Sequence, residues 1–154
     1  DLETILLRAL ALIWALPTTL VGSLLLGIAV GTGGRVSLVD GVLEAHGGWV
    51  RWALRRIPLG RGGVAAVTLG HVVLGTTRTA LAVTRAHERV HVAQCERWGP
   101  FFLPAYAAAS LWALLRGADP YRENRFEREA FAATDPADED PARPAGRAVT
   151  RRST

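Results

Sequence analysis

An α+β fold with an apolar N-terminal helix is predicted for this 154-residue chain by three observations. Residues 9–30 carry no charge. Residues 64–75 and 77–83 are short β-branched runs bounded by glycine, and residues 36–45 surround an Asp-Gly turn signal. Residues 87–91 and 119–133 have the residue spacing of amphipathic helices.

The 22 residues from 9 to 30 include seven leucines, two isoleucines and two valines. As one helix they extend about 33 Å, enough for a hydrocarbon core of roughly 30 Å. A membrane-span helix in contact with lipid is therefore expected. Pro17, Thr18, Thr19, Gly22 and Ser23 are the points where it would bend or fold into a helical hairpin. A cleaved signal peptide fits less well, because the apolar stretch is too long and Arg8 is offset by Asp1 and Glu3. Arg35, Arg51, Arg55, Arg56 and Arg61 come after the span against Arg8 before it, which places the later part of the chain on the cytoplasmic side.

Asp40 and Gly41, in the middle of residues 36–45, are the signature of a two-residue hairpin turn. Residues 49–56, WVRWALRR, read either as a segment at the lipid headgroup level or as a hairpin strand with its arginines in water. Residues 64–75 and 77–83 are expected as strands, and His71 falls within the first of them.

Residues 87–91 read HERVH. On a helix, residues four apart stack on one face, so His87 and His91 present two imidazoles to one ion with Glu88 beside them. Zinc takes neutral imidazole nitrogens at roughly 2.0 to 2.1 Å, and a catalytic site leaves one position of its shell to water. The metal acidifies that water, and Glu88 is the carboxylate placed to take its proton. Ala86, Val90 and Ala93 recur at i, i+4 and i+7 and are expected to form the buried face of the helix. A di-iron bundle needs a second ExxH element, which the chain lacks. Cys95 lies eight residues from His87, about 12 Å along a helix, so it is expected to be a buried thiol and not a ligand.

Residues 98–115 are a second uncharged run. A single crossing of the bilayer here would separate the histidines from any later ligand. Pro100 and Pro104 interrupt the run early, so a core or re-entrant segment is expected. Asp119 and Pro120 read as an N-cap and first helical residue, predicting a helix from about 120 to 133. Glu123 and Glu127 share one of its faces. Glu127, flanked by Phe126 and Ala130, is expected to point inward as the third ligand, with Glu123 as the alternative one turn away, while Glu129 turns outward.

HERVH followed by the ExxA element 127–130 within NRFEREA resembles the zincin metallopeptidases of the gluzincin clan. In these, two histidines of HExxH and a glutamate from a later helix hold zinc. The likeness is to small membrane-associated members, such as the prenyl-protein-processing and heat-shock membrane proteases, whose third ligand opens an ExxAD sequence. Phe131 stands where that aspartate would. The resemblance covers roughly residues 76–133 and is specific only at HExxH. It implies a small sheet packed on the zinc-bearing helix, with an edge strand that holds an extended peptide by main-chain pairing.

The predicted organisation is a membrane anchor in residues 1–32, a zincin-like catalytic domain in residues 33–133 and a disordered tail in residues 134–154. The predicted activity is hydrolysis of a peptide or protein substrate, with Zn2+ on His87, His91 and Glu127, and Glu88 as general base. The oxyanion donor is one of His71, Tyr121 and Tyr106. The alternative is a non-enzymatic membrane protein with a structural or vestigial metal site, closed by a fourth protein ligand. A single cysteine excludes an internal disulfide. The net charge of +4 comes without a nucleic-acid-reading motif, so nucleic acid is not an expected partner.

Overall fold

Asp40 and Gly41 turn the chain as the sequence predicts. Both take positive φ, 49° and 80°, and β1 (Arg35–Val39) pairs antiparallel with β2 (Val42–His46), Val39 facing Val42. The computed structural model describes residues 1–57 and 63–134. A second tight turn, at Gly70 and His71, splits residues 64–75 into two strands, β3 (Ala66–Leu69) and β4 (Val72–Gly75), where one was expected. Gly70 adopts φ 64°, which breaks the extended run. β2 and β4 run parallel, so the four-stranded mixed sheet has the order β1-β2-β4-β3.

The sheet is covered on both faces, and β4 alternates between them. Val72 and Leu74 point toward α2 (Leu16–Gly31) and α3 (Gly48–Arg56), joining Ala29, Val50, Leu54 and Leu69 in one core cluster. Val73 points the other way, where Val42, Ala66, Leu81 and Val92 form a second cluster under α4 (Arg78–Trp98).

The apolar N-terminal run is not one straight helix. α1 (Leu2–Trp14) and α2 meet at the fully buried Ala15 with a bend of 63°. α2 buries Thr18, Gly22 and Ala29, while Leu20, Leu24 and Ile28 stay exposed on its far side. α1 has no buried residue, and Ile5, Leu6, Leu10 and Ile13 are all more than half exposed. By length and composition, the bent α1–α2 pair and the helical stretch Arg78–Leu115 are each long and apolar enough to cross a membrane.

Residues 49–56 do not form a hairpin strand. They lie in α3, because Val50 and Leu54, four apart, are buried while Arg51, Trp52, Arg55 and Arg56 face outward. Residues 77–83 are likewise helical and not a strand. Thr77 caps α4, its hydroxyl oxygen accepting from the Ala80 N–H at 3.0 Å, and the β-branched residues beyond it belong to the first turns. The buried face of α4 also differs from the expectation. Leu81, Glu88, His91, Val92 and Cys95 turn inward, whereas Ala86 and Ala93 are exposed. Larger side chains bury more area than alanine and set the rotation of the helix.

α4 is tied to the sheet by a buried carboxylate. Glu44 on β2 accepts from Arg85 through both oxygens, at 2.9 and 3.0 Å, and from Arg89 at 3.2 Å. Arg89 also donates to the Val39 carbonyl at 2.7 Å. Gly99 at φ 55° ends the helix, and Pro100 prevents its simple continuation.

α5 (Phe102–Leu115) is 14 residues long, about 21 Å, short of a bilayer core. The chain then doubles back. The fully buried Asn124 donates to the Tyr106 carbonyl at 3.1 Å and to the Ser110 hydroxyl at 2.8 Å. Residues 98–115 therefore do not part α4 from the segment that begins at Asn124. Only Phe102 and Ala113 of α5 are buried, while Leu111, Trp112, Leu114 and Leu115 are exposed, so of the core or re-entrant segment expected the core form is not what the fold shows. α6 (Arg125–Thr134) starts later than predicted, because Asp119 closes a separate turn by accepting from the Tyr121 and Arg122 N–H groups. Asn124 takes over at its start, accepting from Phe126 N at 2.9 Å. Arg61 and residues 135–154, hence nearly all of the expected tail, lie outside the described residues.

The packing of α2 can be tested at two glycines. A Cβ at Gly22 would lie 2.6 Å from the Leu69 carbonyl oxygen and 2.8 Å from Val72 Cβ, whereas one at Gly27 meets nothing within 4 Å. Gly22→Leu is expected to cost about 3 kcal/mol or more, and Gly27→Ala to be neutral or to gain up to about 1 kcal/mol, measured by thermal unfolding.

Candidate metal centre

α4 places His87 and His91 one turn apart, and α6 brings Glu127 against them. Their ligand atoms all lie within 4.8 Å of one another. His87 Nε2 is 3.1 Å from His91 Nε2 and 3.0 Å from Glu127 Oε2, and His91 Nε2 is 3.3 Å from Glu127 Oε1. Donors held 2.0 to 2.1 Å from a tetrahedral ion are about 3.3 Å apart, close to each of these separations, with the two histidines meeting different oxygens of the one carboxylate. The two rings stand nearly perpendicular, at 79°, and do not stack.

Two of the three ligands have a supporting neighbour. Gln94 Oε1 lies 2.8 Å from His91 Nδ1. Accepting from a protonated Nδ1, it leaves the Nε2 lone pair for a cation. Gln94 is itself fixed, its amide donating to the Phe126 carbonyl at 3.0 Å and to Glu129 at 3.1 Å. The Tyr106 hydroxyl donates to Glu127 Oε1 at 2.6 Å. Asn124 sets the start of α6, and with it the position of Glu127 one turn later.

The charges follow this geometry. Burial acts to raise the Glu127 pKa, but hydrogen bonds from His87, His91 and Tyr106 prevail and hold it at about 2. Burial acts in the opposite sense on His91, and the bond to Glu127 again prevails, lifting the imidazole above its ordinary value. Two imidazoles thus share one anionic oxygen pair, which fits a divalent cation.

Glu88 sits beside the cluster on the buried side of α4, 5 % exposed. Thr68 on β3 donates to its Oε2 at 2.6 Å. Burial raises the carboxyl pKa, with the Thr68 bond opposing it. Such a shift strengthens a carboxylate as a base near neutrality.

The other predicted residues divide. Tyr121 lines the cavity beside His87, Glu88 and Glu127, and burial and the Glu127 charge keep its phenol protonated. Tyr106 is engaged with Glu127. His71 is not brought to the cluster, because it occupies the turn after β3. Its Nε2 is 2.9 Å from Glu96 and its Nδ1 3.4 Å from the Thr19 hydroxyl, so it joins α2 to α4. Glu123 is exposed and 3.8 Å from Arg128, away from the three donors. Cys95 is a buried free thiol, as expected.

Thr68, Gln94 and Asn124 escape the sequence reading. Gln94 had a visible signal, three residues beyond His91 on the same helix face. Thr68 had none, since nothing local links it to Glu88. No protein-family model, curated protein or solved structure matches the chain.

Elemental analysis checks the ligand set. About one zinc per chain is expected in the wild type, lost or greatly weakened in His87→Ala and Glu127→Ala and retained in Glu123→Ala. Gln94→Ala is expected to weaken binding roughly 10- to 100-fold.

Proposed function

We propose that the chain is a membrane-anchored, zinc-dependent metallopeptidase. The observation that supports this most is the convergence of His87, His91 and Glu127 with a buried Glu88 next to them at the wall of a cavity. Among the described residues the metal-ligating group has three members, which suits an open catalytic site better than a closed structural one. When bound, zinc supplies Lewis acidity toward a peptide carbonyl and toward water.

The chain's own side chains carry the rest. Glu88 accepts a proton from the attacking water and returns it to the leaving amine, its orientation kept by Thr68. Tyr121, protonated and facing the cavity, donates to the oxygen that gains charge. Tyr106 and Gln94 keep Glu127 and His91 in place. The exposed apolar faces of α1 and α2 enter the bilayer, and the arginines beyond them keep the site on the cytoplasmic side.

Glu88→Gln separates catalysis from metal binding. The variant is expected to keep its zinc while cleavage of a peptide library, read by mass spectrometry, falls roughly 10²- to 10⁴-fold. Equal cleavage by both proteins would remove Glu88 as the base.

A further inference from the structure

The cluster stands where two cavities meet, one almost wholly apolar and one of mixed lining. Both include His87, Glu88 and Tyr121 in their walls. The first, about 180 Å³, is closed in by Ile57, Val67, Leu69, Phe102 and Leu103. The second is wider, about 490 Å³, and brings Thr84, Asp119, Arg122 and Thr134 to its surface. β3 runs between them, and it has a strand neighbour on one side only among the described residues.

Size and polarity together define what the first cavity takes. An apolar cavity of about 150 Å³ holds a benzene ring, so this one has room for a leucine or phenylalanine side chain. Beyond Thr68 and the histidines, tyrosines and carboxylates at the cluster its walls are apolar, so a charged side chain that enters deeply finds no compensating partner. The second cavity places no such demand, because its polar side chains and wide mouth leave a hydrophilic residue solvated.

We infer that the substrate is a polypeptide cut beside a leucine- or phenylalanine-sized residue seated in the smaller cavity, with no such requirement on the other side of the scissile bond. This rests on the metallopeptidase reading and adds the substrate class. Val67 on β3 and Leu103 on α5 set the size of the accepted side chain, facing it from two elements of the fold.

Calorimetric binding of small hydroxamates to the zinc-loaded full chain in detergent tests the pocket without requiring turnover. The series carries hydrogen, methyl, isobutyl, benzyl or carboxymethyl side chains. Isobutyl and benzyl compounds are expected to bind roughly 10- to 100-fold tighter than the hydrogen compound, and the carboxymethyl compound no tighter than it. Val67→Phe narrows the cavity and is expected to abolish the benzyl advantage. Leu103→Ala widens it and is expected to favour benzyl over isobutyl, which gives an independent reading should the first variant fold poorly. Hydroxamates that bind without regard to side chain overturn the pocket and leave the metallopeptidase standing. Failure of every hydroxamate to bind a chain carrying zinc overturns both.

Discussion

The contact between α4 and α6 at His87, His91 and Glu127 is the constraint on which the remaining structure depends. Burying a carboxylate among imidazoles is costly unless every donor and acceptor finds a partner. Here the partners come from three further places: Tyr106 on α5, Gln94 on α4 itself, and Thr68 on β3, which holds Glu88 alongside. A divalent cation at the same point would add the free energy of its own binding to that of folding. In a core this small, divided into clusters on either side of a four-stranded sheet, such a contribution matters.

The sheet's role is to fix the rotation and height of α4. Val73, Ala66 and Val42 receive Leu81 and Val92, and the Glu44 carboxylate clamps Arg85 and Arg89. Rotating the helix to bury Ala86 and Ala93 would lose these contacts and swing both histidines away from α6. On the opposite face, α2 presses Gly22 against Leu69 and Val72. The helix that turns Leu20, Leu24 and Ile28 outward is thus also a structural cover of the sheet, and α4 is linked to it through Thr19, His71 and Glu96. The proposed membrane attachment and the candidate site consequently share one scaffold.

Short-range features were the ones that could be read from the residues alone. HERVH announced a helix with two imidazoles on one face, and Asp40-Gly41 announced its hairpin, because each is decided within one turn of chain. Glu127 was legible from its apolar neighbours Phe126 and Ala130, both of which are buried. The errors lie where distant packing competes with local preference. Residues 77–83 have strand-like composition, but the Thr77 cap and the pull of Leu81 toward the sheet make them helical. Asp119-Pro120 resembles a helix start, yet the helix waits for Asn124, whose side chain answers to α5. His71 looked available until Gly70 turned it toward Glu96.

X-ray absorption at the zinc edge of the purified, zinc-loaded chain tests the central claim most directly, since it counts the atoms around the ion. The expected shell is nitrogen and oxygen only, near roughly 2.0 Å, with two imidazoles, one carboxylate and one exchangeable water. A sulfur neighbour at about 2.3 Å, or a shell filled by four protein donors, would contradict the site described.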